Sequence, residues 1–304
     1  MVREFRMMAF TGGEPLLRPD VFDLPAHAQR LGFTNTMATN ATRIDDSVAR
    51  DLRKRGLVIA AVSLDGLDAE GHDRIRGVYG AFDAALRGMA ALRRAGILLH
   101  INVTAMQHYN AEDMEALLQM VDEQQAAILL MYQLVPVGRG QMIDRVALDR
   151  AANERLMRCM IEAQRSARAI FEPVAGPQFW ALLLRQAGIS GRLPLRLAEQ
   201  VWHGCSAGRG FAYIKPDGTV WPCPFIEQSC GNVRKRPFAE LWAGGPVLDA
   251  LRQRETLLKG QCGACAYRRV CGGCRARALS ATGDLMAEDP SCFIHAADMQ
   301  SESI

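Results

Sequence analysis

Lysine is nearly missing from this chain: four residues stand against 32 arginines, in a protein whose formal net charge is only +3. With the basic residues spread thinly, there is no run or patch of the kind that nucleic acid or an anionic membrane needs, and neither partner is expected. The arginine excess suits bidentate pairing with carboxylates, and codon bias would produce it equally well. No apolar run approaches the ~20 residues of a membrane span, and the N-terminus lacks the charged, apolar and small-residue order of a signal peptide. A cytoplasmic location is therefore expected. Repeats and low-complexity segments are absent too. Cysteine is almost absent from the first 200 residues, where Cys159 stands alone, yet the chain has nine in all. An odd count in a reducing compartment argues against disulfides. A chain of 304 residues, 49% of them apolar, needs no such staples to hold a core.

What is present falls into two textures. Up to about residue 140, short apolar runs alternate with amphipathic stretches. "MMAF", "GFTNTMAT", "LVIAAVSL", "GILLHINVTAM" and "AILLMYQLVPV" read as strands, with helices over 45–55, 80–95 and 111–122 between them. Such alternation predicts βαβ units in a parallel sheet, and continuously apolar runs predict strands buried on both faces. Five strands are one short of a six-stranded partial barrel. Residues 147–187 read as wholly helical, with Gly188, Gly191 and Pro194 breaking the pattern. The expected division is a barrel domain over 1–140, a helical linker over 141–200 and a cysteine-rich domain over 201–304. In the last of these, "FAYIKPDGTVWPC" reads as two strands joined at Pro216-Asp217-Gly218.

Eight cysteines lie in that final third, four of them within "CGACAYRRVCGGC" at 262–274. Paired Cys-x-x-Cys knuckles hold tetrahedral zinc, but zinc knuckles usually sit some 15 to 20 residues apart. Here five residues separate them. A tight run of thiolates closed by a distant cysteine suits an iron–sulfur cubane better, because one loop can reach several irons. Cys159, inside the helical stretch, reads as a small buried hydrophobe.

The second signal is "FTGGEPLLRPD" at 10–20, an apolar strand running into two glycines and an acid. The glycines would let a ligand approach the backbone, and Glu14 could accept from an amino group; a plain βα turn would use the same glycines. "ATNAT" at 38–42 and "VSLDG" at 62–66 end the next two strands with polar residues on the same rim, where α/β barrels place their sites.

Together these segments resemble the radical S-adenosylmethionine enzymes that carry a C-terminal SPASM domain with auxiliary iron–sulfur clusters, over nearly the whole chain. The resemblance implies an α/β fold: a partial (β/α)6 TIM-like barrel lacking its first strand, then a small cysteine-rich α+β SPASM domain. The implied cofactors are S-adenosylmethionine and 4Fe–4S clusters, two of them auxiliary. It implies that Gly12, Gly13 and Glu14 meet the methionine amino group, and that Thr39, Asn40, Ser63 and Asp65 meet the cofactor. "HDRIRG" at 72–77 gives Arg76 the methionine carboxylate, and Val103-Thr104 and Leu134-Val135-Pro136 would flank the adenine. Cys262, Cys265, Cys271 and Cys292 would hold the outer cluster, and Cys205, Cys223 and Cys274 the inner one. The run's last spacing is two residues where the pattern usually has three. The inner cluster's fourth ligand stays open between Cys230, His203 and none. His72, His100 and His108 show no ligand spacing and read as structural.

The family's Cys-x3-Cys-x2-Cys loop, which holds the radical-generating cluster, is not in this sequence. It is expected upstream of Met1, so the sequence is expected to be N-terminally truncated. "LVPVGRG" at 134–140 and "CGGCRARALSATGDLMAEDPSC" at 271–292 resemble members that tailor sirohaem-derived tetrapyrroles in haem biosynthesis. Peptide-maturing members, or a non-catalytic electron carrier or scaffold, are the alternatives. An external donor such as flavodoxin or ferredoxin is implied. Arg139, Arg275 and Arg277 are expected either to pair with substrate carboxylates or to be solvated surface charge.

Overall fold

A computed structural model of the chain describes residues 5–107, 113–189, 192–198, 200 and 204–294. Its centre is one parallel sheet in simple sequence order: β1 (Met7–Phe10), β2 (Thr34–Thr39), β3 (Leu57–Ser63), β4 (Leu98–Ala105), β5 (Ile128–Gln133) and β6 (Ile170–Val174). The sheet curls into a half-barrel. Between successive strands run α1 (Asp23–Arg30), α2 (Asp46–Lys54), α3 (Ala69–Arg76), α4 (Ala81–Arg94), α5 (Asp113–Glu123) and α6 (Arg150–Ala163). The caps follow the sequence: Asp45, Asp68 and Asp149 each accept a backbone N–H of the first turn of the helix they open.

β1 to β5 form where the apolar runs predicted them. The stretch expected to be wholly helical is not: β6 lies inside it and pairs along β5 from Ile128–Ile170 to Tyr132–Val174. The sheet's sixth strand thus comes from residues 170–174, and much of the expected linker is barrel. Burial on both faces holds only at the middle of β3 and β4, where Ala60, Ala61 and Val62, and Ile101, Asn102 and Val103, are buried in succession. In β5, Leu129, Met131 and Gln133 are buried while their alternate neighbours are only half-buried. The helix-covered face carries the core, with Met37, Val62, Leu99, Ile101, Val103 and Phe171 against Leu52, Met89, Leu92 and Met157. On the other face of β5, Ile128, Leu130 and Tyr132 are only half-buried, so the concave face is partly open there.

After α7 (Gln178–Gln186) and α8 (Arg192–Ala198), the cysteine-rich part is built from short pieces. The antiparallel hairpin β7 (Tyr213–Ile214) and β8 (Val220–Trp221) turns where Pro216-Asp217-Gly218 predicted. Then come α9 (Phe238–Ala243), α10 (Pro246–Arg252), α11 (Arg254–Leu257), α12 (Gly260–Ala264) and α13 (Arg275–Thr282). This part has a small core of its own, in which Ala207, Ile226, Leu251, Ala276 and Met286 pack on Val135, just past β5. Cys159 on α6 packs against the main core, half-buried where full burial was expected.

Candidate functional site

The polar residues predicted at the strand ends do meet at one rim of the sheet. Where β1 ends, nothing lies within 4 Å of the place a Cβ would take on Gly12 or Gly13, so the backbone there faces open space. Glu14 follows and ties the rim together. Its Oε1 accepts from Leu16 N (3.1 Å) and Thr39 Oγ1 (2.8 Å), and its Oε2 accepts from Asn40 N (2.8 Å). Three bonds leave a carboxylate about one lone-pair direction for a further donor. The Asn40 side chain instead closes its own turn, accepting from Thr42. At the end of β3, buried Asp65 accepts from Thr104 N (2.9 Å) and pairs with Arg76 Nη2 at 2.6 Å. The methionine carboxylate expected for Arg76 would therefore share a guanidinium already engaged by Asp65. His72 is structural: its Nδ1 accepts from Asp65 N, and burial, then the Arg76 charge, lowers its pKa. Ser63 ends β3 in register with Asn102, and Thr104 with Tyr132. Asn102 keeps its buried Oδ1 without a partner. Val103 points into the helix-side core, so only its backbone borders the rim.

All seven predicted cluster cysteines are free thiols, and they gather in two sets. Burial pushes every thiol of the first set up: Cys265 to about 11, Cys292 to about 12, and Cys262 and Cys271 upward as well. After burial, the charges that raise Cys271 further are those of Cys265, Cys292 and Cys262. These four line one cavity, together with Gly272, Gly273 and Arg268. In the second set, burial and then Cys274 and Cys205 raise Cys223, while Cys274 sits at about 11. The charge acting on Cys230 comes from Arg252, not from a cysteine. His108 and His203, the latter a candidate ligand, lie outside the described residues. Arg139 falls in the 3-10 segment Gly138–Val146, and its side chain is likewise outside them.

Among the described residues, no three His, Cys, Asp or Glu side chains are arranged to hold a single metal ion. The four thiols lining one cavity are the donor type and number that a cluster of several irons takes. The two-residue spacing of Cys-Gly-Gly-Cys is what separates the sets. Gly272 and Gly273 both take left-handed backbone (φ 66° and 62°), which sends Cys271 to one set and Cys274 to the other.

The expectation for Arg275 and Arg277 is overturned in both its forms, since neither is free for a substrate and neither is solvated. Arg275 is fully buried and donates to the carbonyls of Leu285 (3.0 Å) and Ala287 (2.6 Å), and to Cys262 Sγ at 3.8 Å. Arg277 grips Asp289 with two bonds, Nε to Oδ1 at 2.8 Å and Nη2 to Oδ2 at 3.0 Å. Asp289, 1% exposed, also accepts from Cys274 N, Ser291 N and Gln178 Nε2, and its own N–H donates to Cys262 Sγ. It therefore links both sets. Sequence reasoning missed Asp289; its place three residues before Cys292 was the signal on offer. The helix that follows Cys274 reaches the rim: Arg277 donates to Ala175 O, after β6, and Ser280 to Pro136 O, after β5.

Comparison with known proteins places this arrangement. A model of the radical SAM superfamily matches residues 2–121, and one of the iron–sulfur cluster-binding SPASM domain matches 205–266. The chain is 36% identical over 290 residues to an AdoMet-dependent heme synthase of Methanosarcina barkeri, covering 94% of this chain and 82% of that protein. It is 36% identical over 304 residues to a pre-heme d1 synthase of Dinoroseobacter shibae, covering 96% and 75%. The fold matches Streptococcus suis SuiB, solved bound to the precursor peptide SuiA, with a TM-score of 0.74 at 21% identity over 94% of this chain. This chain spans 65% of SuiB's length. No helix among the described residues is long and apolar enough to cross a membrane. The chain thus belongs to the radical SAM superfamily, in the branch with a C-terminal iron–sulfur cluster-binding domain, and the cofactors of that branch are S-adenosylmethionine and 4Fe–4S clusters.

Proposed function

We propose that this chain is a radical S-adenosylmethionine enzyme with a SPASM domain that modifies carboxylate side chains of a sirohaem-derived tetrapyrrole in haem biosynthesis. The observation that carries the reading is the level identity, along nearly the whole chain, with two relatives named for haem synthesis. In this reading Gly12, Gly13, Glu14, Thr39, Asn40, Ser63, Asp65 and Arg76 receive S-adenosylmethionine at the rim. Cys262, Cys265, Cys271 and Cys292 hold the outer cluster, and Cys205, Cys223 and Cys274 the inner one. When bound, the clusters supply electron transfer, fed by an external donor of the flavodoxin or ferredoxin class. The substrate would lie on the half-open concave face, between the Glu14 and Asp65 rim and the inner cysteines beside β5 and β6.

Tetrapyrrole carboxylates need fixed cations, and with Arg275 and Arg277 committed inside the domain, Arg139 is the remaining candidate named from sequence. A guanidinium holds a carboxylate through two parallel bonds that lysine cannot make. Titrating a didecarboxylated sirohaem into the anaerobically reconstituted chain should show binding, weakened by about 1 to 3 kcal/mol in Arg139→Lys. Equal binding to both would discard Arg139 as the anchor. Binding to neither would turn the reading to a peptide substrate.

A further inference from the structure

Arg254 opens α11 with its side chain fully buried. One Nη donates to the Cys205 carbonyl. Among the described residues its Nε and its other Nη have no partner. A guanidinium sealed from water with free donors is strongly unfavourable unless negative charge faces it. The neighbouring buried arginines have their partners in the chain: Asp289 for Arg277, backbone carbonyls for Arg275. Among the described residues Arg254 pairs with no such carboxylate. Its position shows where the missing charge belongs. A Cβ on Gly272 would stand 2.7 Å from its Nε and 3.2 Å from its Nη2, so the guanidinium lies against the Cys271–Cys274 turn. Its other side meets Cys205. It therefore sits between one cysteine of each set. Burial lowers its pKa, and thiolates at Cys205 and Cys271 act the other way.

We infer that Arg254 is the cation shared by the two cluster sites, its free Nε–H and Nη–H donating to cluster sulfur and its charge raising the reduction potential there. The inference rests on the reading that the seven cysteines hold two clusters. A fixed cation beside a redox centre stabilises the more negative, reduced form, and hydrogen bonds to sulfur act in the same direction. Arg254 is thus a positioning residue acting through the clusters.

The test is a potentiometric titration followed by electron paramagnetic resonance, on the anaerobically reconstituted chain, with iron and sulfide assayed in parallel. Arg254→Gln should keep the wild-type iron content and lower the potential of at least one cluster. The expected shift is about tenfold in the reduced-to-oxidised ratio at fixed poise, which is about 59 mV for a one-electron couple. Unchanged potentials at full iron content would overturn the inference. Wild-type protein with far fewer than about eight irons would instead overturn the two-cluster reading beneath it. Should Arg254→Gln fail to load iron, Arg254→Lys decides: loading both clusters supports a role for the charge, and loading neither overturns it.

Discussion

The two halves of this molecule are stabilised by opposite means. The barrel rim is closed by the protein's own groups: Glu14 joins three donors from two segments, and Asp65 joins Arg76 to the end of β4. The cysteine-rich part has two-residue strands, helices of four to eight residues, a small core, buried thiols and a buried cation short of partners. A sheet under a layer of helices is self-sufficient, whereas a set of short pieces needs something at its centre.

Iron is the largest lever on that difference. Structural metal ligation contributes on the order of 10 kcal/mol to small metal-held domains. Stripping iron should therefore open residues 204–294 to proteolysis and hydrogen exchange while the sheet stays protected. Cys265→Ala should lose one cluster's iron and loosen the same region, and Cys159→Ala should change neither. Loss of iron from Cys159→Ala would break the ligand assignment. Uniform opening of both halves would break the comparison.

A smaller lever is the buried pair. Removing one partner of a buried ion pair costs about 3 to 5 kcal/mol, because the other charge stays buried and alone. Asp289→Ala should lose that much in denaturant unfolding of the loaded chain. Glu14→Ala, on the half-exposed rim, should lose about 1 to 3 kcal/mol and mainly weaken S-adenosylmethionine binding. Equal losses would mean the rim is as interior as the cysteine domain.

The smallest expected effect is on pH, because it is felt only by the part of the stripped population whose cysteine-rich region stays closed. In the fraction of the iron-stripped chain that keeps residues 204–294 closed, burial holds the thiols of Cys265, Cys274 and Cys292 protonated to about 11 or 12. An unfolded thiol ionises near about 8.5. Between these values the unfolded chain binds fewer protons than the folded one, so stability falls as pH rises through that window. Circular dichroism melts should show this decline in stripped protein and not in loaded protein, whose ligating thiols are already deprotonated. A flat profile in the stripped chain would contradict the buried thiols.

The legibility of the fold in the sequence follows the same divide. β1 to β5 read directly because each supplies an apolar stripe for the helix-covered face. β6, "IFEPV", did not, because Glu172 and Pro173 interrupt so short a run beside a strongly helical stretch. The iron–sulfur character of the 262–274 run was legible from spacing, since ligand reach within a loop is local, while the division of the cysteines into two sets came only from the family resemblance. The roles of Arg254, Arg275 and Arg277 were not, since their surroundings are assembled by tertiary packing: a carbonyl at 205, a glycine at 272, an acid at 289.

The anchoring of the 287–294 segment also orders events in time. Asn153 and Arg150 at the start of α6 donate to Ser291 O and Pro290 O, and Gln178 donates to Asp289, across more than one hundred residues of chain. Contacts that close such long loops form late, and a nascent chain emerges from its N-terminal end. The barrel can be complete on the ribosome before Cys292 and Asp289 have been made. On the proposed ligand set, the outer site can gain its fourth cysteine only after every strand of the sheet has been made.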